Sequence, residues 1–111
     1  MKVHEILLEE KMPTWIEAKS MLDIEFRNAR MNKTKCFVII HGYGSSGVGG
    51  VLKSRTRSYL RDKKKNKEVK IVVYGENFEM YDPDSRYLMN TYKDLSPYYD
   101  KHNQGITIVE L

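Results

Sequence analysis

An α/β domain is the fold class that this chain of 111 residues predicts. Three observations carry it. Short apolar runs alternate with amphipathic stretches at helical spacing, and a glycine-rich loop stands between a buried strand and a basic helix. The length suits one core, since domains concentrate at about 100–150 residues and a second core would have too little apolar surface to bury. With 41% hydrophobic, 11% aromatic and 31% charged residues, the composition excludes a disordered chain.

Residues Lys2 to Leu8, with Val3, Ile6, Leu7 and Leu8, read as the first strand. Thr14 followed by Glu17 is a capping box, each side chain satisfying a backbone amide at a helix start. Trp15, Ala18, Leu22, Phe26 and Ala29 then recur on one face as far as Asn32, a reasonable terminator. Cys36 to Ile40 is an unbroken apolar run, too short for a helix and typical of a strand covered on both faces. The glycine loop His41 to Gly50 comes next, and helical character resumes from Val51 to Leu60. Leu52, Tyr59 and Leu60 offer a narrow apolar face, while Lys53, Arg55, Arg57 and Arg61 are expected at least partly in solvent before a lysine run at Lys63 to Lys67. Val69 to Tyr74 is the third strand, stopped by Gly75. Asp82 to Ser85 reads as a turn, Arg86 to Tyr92 as a short helix, and Ser96-Pro97 as its end. Tyr81, Tyr87, Tyr92, Tyr98 and Tyr99 are expected to pack against a sheet edge with wet hydroxyls rather than stack on bases. Ile106 to Leu111 closes the order β-α-β-α-β, an insertion, then β.

The start of the chain lacks the features of a secretory signal, and no window approaches the roughly 20 apolar residues of a membrane span, so a cytoplasmic protein without a membrane partner is expected. The single cysteine, Cys36, reads as a small buried thiol. The formal charge of +4 is unevenly placed: Lys53 to Lys70 holds nine basic residues against two acidic ones, a net +7 that leaves about −3 for the rest.

Five glycines between Gly42 and Gly50 let backbone amides converge on a guest, and phosphate is the natural one at a helix start. The expected contacts are Gly42, Gly44, Ser45, Ser46, Gly47, Gly49 and Gly50, extended by Lys53, Arg55 and Arg57 toward the backbone of DNA or RNA rather than base edges. The run lacks the Gly-Lys-Ser/Thr ending of a P-loop and fits the dinucleotide spacing poorly, so a connection without a ligand stays open. His4, His41 and His102 stand apart without an i, i+4 partner, and no metal site is expected from them.

Ile39-Ile40-His41-Gly42-Tyr43-Gly44, Gly49-Gly50-Val51-Leu52-Lys53 and Gly105-Ile106-Thr107-Ile108-Val109-Glu110-Leu111 together resemble the small MutS-related (Smr) domain, with its H-G-x-G loop, Leu-Arg helix start and G-x-T-V-V-x-L closing strand. The resemblance implies a two-layer β-α-β-α-β-β sandwich with a mixed four-stranded sheet, like the C-terminal domain of translation initiation factor three, in one domain over residues 1–111 with an insertion at 77–104. It implies nucleic-acid binding, and in several members nicking of DNA or cleavage of RNA. The family's L-D-L-H-G or L-D-L-R-G stretch corresponds to Leu8-Glu9-Glu10-Lys11-Met12, where Glu9 keeps an acid and Lys11, expected to contact nucleic acid, stands for the histidine or arginine. In a cutting enzyme Glu9 or His41 would handle protons or orient water while Lys53 and the loop amides stabilise charge on the phosphate. Mg2+ would assist transiently, with no tightly held cofactor. A non-catalytic module for branched or single-stranded nucleic acid is the other reading, and a protein-interaction domain using the tyrosines a third. For His41 a purely architectural role, hydrogen-bonding the loop's own backbone, stays open beside catalysis.

Overall fold

The computed structural model describes the backbone of residues 2–11, 13–43 and 47–111, and the side chains over the same residues except 11 and 47–50. β1 (Val3–Leu7) leads through a 3-10 turn, Glu9–Lys11, into α1 (Trp15–Asn32). The expected capping box closes the start of α1: the Glu17 amide donates to Thr14 Oγ1, and Glu17 Oε1 accepts from the Thr14 amide. The helix ends where Lys33 turns left-handed and its amide bonds Ala29 O. β2 (Cys36–Ile40) precedes α2 (Gly47–Lys65), and β3 (Ile71–Tyr74) follows.

α2 departs from the sequence expectation at both ends. It starts at Gly47 rather than Val51, and it continues through the first three lysines of the run. Glycine disfavours a helix interior by about 1 kcal/mol, but Gly47, Gly49 and Gly50 fall in the first turn, and the burial of Leu52, Thr56, Tyr59 and Leu60 further along holds the whole helix on the sheet. Lys63, Lys64 and Lys65 occupy its last turn, where positive charge complements the helix dipole.

The sheet is mixed and four-stranded, in the order β1-β2-β4-β3, with β4 spanning Ile106–Glu110. β1 and β2 are parallel, and β4 runs antiparallel to both β2 and β3. The two central strands are buried on both faces, which is why Cys36–Ile40 and Ile106–Glu110 read as continuous apolar runs instead of alternating ones. Phe37, Ile39 and Val109 face α1 and α2 with Ile6, Leu22, Leu52 and Leu60.

The opposite face carries a third layer. Residues between β3 and β4 form α3 (Pro83–Thr91) and a 3-10 turn, Lys93–Tyr98, and pack Phe78, Leu88, Tyr92 and Leu95 onto Cys36, Val38, Val73 and Ile108. The two layers implied by the resemblance are present, and this segment seals the face they would leave open. The tyrosines fasten it by packing, as expected, but on the face of the sheet and not with all hydroxyls wet: Tyr87 and Tyr92 both donate to the buried carboxylate of Glu110, Tyr92 from a buried position, Tyr98 donates to Glu5, and the Tyr99 ring meets the edge of Phe78. Tyr81 alone of the five is fully solvent-facing. Burial beneath this layer, with the charge of Glu110 nearby, pushes the Cys36 thiol up to about 12, so it stays protonated and inert.

The topology brings the carboxyl ends of β1, β2 and β3 to one edge of the sheet, where the 3-10 turn of Glu9, the loop at His41 and the bend at Gly75 converge. Ligands of open α/β sheets bind at such edges.

Candidate nucleic-acid interface

Gly42 is the pivot of this edge. Its φ of 90° is one that residues with a Cβ rarely adopt, and a methyl there would also collide with the carboxylate of Glu9. Glu9, exposed on its 3-10 turn, therefore lies directly against the loop, although the two residues are distant in sequence. The amides of His41 and Gly42 both bond Gly105 O at 3.0 Å. This corrects the expectation for Gly42: its N–H faces inward and is not offered to a guest. The amides left without an acceptor inside their own helix are those at the start of α2, Gly47, Val48 and Gly49, where the dipole adds partial positive charge. Gly44, Ser45, Ser46 and the side chain of Lys11 lie outside the described residues.

His41 is 0% exposed. Its Nδ1 lies 3.0 Å from Gly42 O, which can only accept, so Nδ1 carries the proton. Nε2 then accepts from the Thr107 hydroxyl at 2.9 Å, and Thr107 Oγ1 in turn accepts from Arg57 Nε at 3.0 Å. Burial, reinforced by the positive charges of Arg57 and Lys53, pushes the ring down to about 4, so it is neutral at physiological pH. Nδ1 thus braces the loop's own backbone, Nε2 ties the loop to β4, and the ring is fully buried.

Arg57 is the largest departure from the sequence expectation. Expected at least partly in solvent and in contact with nucleic acid, it is 6% exposed and spends its donors internally. The guanidinium grips Glu76 bidentately at 2.7 and 2.9 Å, donates to Ile106 O at 3.0 Å, and lies 4.0 Å from the centre of the Tyr74 ring. Burial would raise Glu76, but the bonds from Arg57 outweigh it and hold the carboxyl below its ordinary value. The helical turn of about 100° per residue explains the split: Arg57 follows Lys53 on the sheet-facing flank, while Arg55 points to solvent. Lys53 is half-buried and reaches Gln104 Oε1 at 3.3 Å, beside the His41 network. Lys53 and Arg55 are thus the expected cations that remain near the start of α2.

Sequence reasoning missed Thr107 and Glu76 as working parts of this edge. The closing Gly105-Ile106-Thr107 stretch was the available signal for Thr107, since a lone hydroxyl in an apolar strand needs a partner. Nothing local marks Glu76, which meets Arg57 only through the fold. The fold also brings Glu79, Asp100 and His102 together, with donor atoms within 4.8 Å of one another. All three are at least partly exposed, and His102 Nε2 pairs with Asp100 Oδ1 at 3.5 Å.

The carboxyl ends of three strands, a pinned glycine turn and the start of α2 with Lys53 and Arg55 near it together define a small α/β domain with a mixed sheet. The Smr domain family matches residues 11–76, more than half of the chain. The chain belongs to that family of nucleic-acid-binding modules. No curated protein and no solved structure matches it. Among the described residues no helix is long and apolar enough to cross a membrane.

Proposed function

We propose that this domain binds the sugar-phosphate backbone of DNA or RNA at the carboxyl edge of its sheet. The observation that carries the proposal is the start of α2 at Gly47, whose first amides have no acceptor within the helix and lie near Lys53 and Arg55. His41, Thr107, Arg57 and Glu76 act as positioning residues that fix the loop to β4 and so fix where the helix begins. Contacts of this kind are to phosphate and carry no base sequence. The family match ends at residue 76, just before the segment that builds the third layer, in keeping with 77–104 as an addition to a shared core. Fluorescence anisotropy on duplex DNA, branched DNA and RNA tests the proposal. Log affinity should fall linearly with log salt, and the double substitution K53E/R55E should weaken binding at least about tenfold and reduce that slope by about two. Unchanged affinity would remove α2 as the contact surface.

Phosphodiester cleavage is the second reading, favoured by the Glu9 carboxylate against Gly42. An acid at this place, to which the resemblance assigns cleavage, would orient water or take its proton. One exposed carboxylate beside a bound phosphate suits a transient Mg2+, which binds through one or two carboxylates together with phosphate oxygens. The ion would supply charge neutralisation on the phosphate. Incubation of supercoiled plasmid and of RNA with purified protein, with and without magnesium, should give nicked product that Glu9→Gln abolishes while leaving affinity intact. No product at high protein ratio would leave binding alone.

A further inference from the structure

The basic residues of α2 do not form one patch. Lys53 and Arg55 lie near its start and Lys63 in its last turn. At 1.5 Å rise per residue, Gly47 and Lys63 are separated by about 24 Å along the axis. α1 runs in the same direction as α2, because each helix returns from the carboxyl end of one parallel strand to the beginning of the next. The far halves of both helices therefore meet at the pole opposite the glycine loop.

Between them lies a groove of about 500 Å³ lined by Asp23, Phe26, Arg27, Arg30, Lys63 and Glu68. Its two acids are engaged: the Tyr59 hydroxyl donates to Asp23, and the Lys63 ammonium stands 3.7 Å from Glu68. Arg27 and Arg30 are exposed, and among the described residues neither pairs with a carboxylate. Dipole complementarity accounts for basic residues in a last turn. It does not account for a concave wall to which one helix contributes two guanidiniums that, among the described residues, have no carboxylate partner. Phosphate oxygens are the ligands that such planar forks match bidentately.

We propose that this groove is a second phosphate-binding site, holding a further segment of the nucleic acid whose backbone is engaged at the start of α2. The inference rests on the nucleic-acid-binding reading above and adds a length to it. A separation of about 24 Å corresponds to about seven base pairs at 3.4 Å per pair. A stem of about four pairs reaches one site, and a duplex of about fifteen reaches both. The domain then grips a stretch of backbone at two poles of one helix pair, with Ser54 and Ser58 exposed between them.

The test is anisotropy with the full chain, comparing wild type, R27E/R30E and K53E/R55E on a hairpin of about four base pairs and a duplex of about fifteen. R27E/R30E should lose at least about tenfold affinity for the long duplex, with a salt slope smaller by about two, and bind the hairpin like wild type. Its thermal midpoint should not move, since both arginines are exposed, and R27Q/R30Q repeats the comparison without charge reversal. Equal affinity of variant and wild type for the long duplex overturns the second site, as does an equal loss on both lengths. If R27E/R30E shows the length-dependent loss while K53E/R55E changes nothing, the groove stands and the loop reading falls. Titration with inorganic phosphate and with AMP separates the sources of the anion. Saturable binding of either that R27E/R30E removes, without any length effect on duplexes, assigns the groove to a free phosphate compound and overturns the proposal.

Discussion

Replacing Arg57 with alanine is expected to lower stability by about 3 kcal/mol and the melting temperature by about 12 °C, the largest effect of any single basic residue on α2. Removing it leaves Glu76, Thr107 and the carbonyl of Ile106 without their donor at once. The cost stays at the lower end for a broken buried pair because Glu76 is 28% exposed and can turn to water. Arg57→Lys should recover only part of the loss, since an ammonium cannot bridge both carboxylate oxygens and reach β4 together. Thermal and urea denaturation measure the effect. A variant that melts like wild type but no longer binds nucleic acid would show that Arg57 belongs to the surface after all, as its place in the basic run suggests.

Acid should destabilise the domain in a window set by His41. Its ring titrates at about 4 in the folded chain against 6.5 for an unperturbed histidine. The unfolded state therefore takes up the proton first, and stability present above pH 6.5 is lost as pH falls through 4. The loss approaches about 1.4 kcal/mol per pH unit, or about 3 kcal/mol across the window. Glu76 and Glu17, both held below their ordinary values, add their loss only below about 4.5. Urea midpoints from pH 7.5 to pH 4 should follow this course, and His41→Asn, less stable at neutral pH, should flatten it. A wild-type profile flat between pH 6.5 and pH 4.5 would mean that His41 is not buried as described.

Both expectations concern residues whose sequence context suggested surface chemistry. Arg57 lies among seven other lysines and arginines within ten positions, and His41 opens a glycine loop, so each reads as a group presented to a ligand. Their burial depends on β4, whose Thr107 lies 50 residues beyond Arg57 and 66 beyond His41, and which slides between β2 and β3. Only then do Thr107, Gly105 and Ile106 supply acceptors to the loop and to Arg57. The lysines at Lys63 to Lys65, adjacent in sequence to that same run, end at the far pole. A helix carries residues away from one another along its axis as surely as around it.

The pattern of apolar residues by itself determined that the chain would form β-α-β-α-β with a last strand at its end, where α1 would be capped, and that a glycine turn would join β2 to a basic helix. Those features follow from periodicity, capping chemistry and the steric freedom of glycine, which act over a few residues and are written locally. The tertiary structure alone decided that Glu9 lies on Gly42, that His41 and Arg57 are interior props, that the segment after Gly75 covers the second face of the sheet, and that positive charge gathers at two poles. Each depends on partners far apart in sequence, and burial and pairing energies exist only once the sheet has brought those partners together.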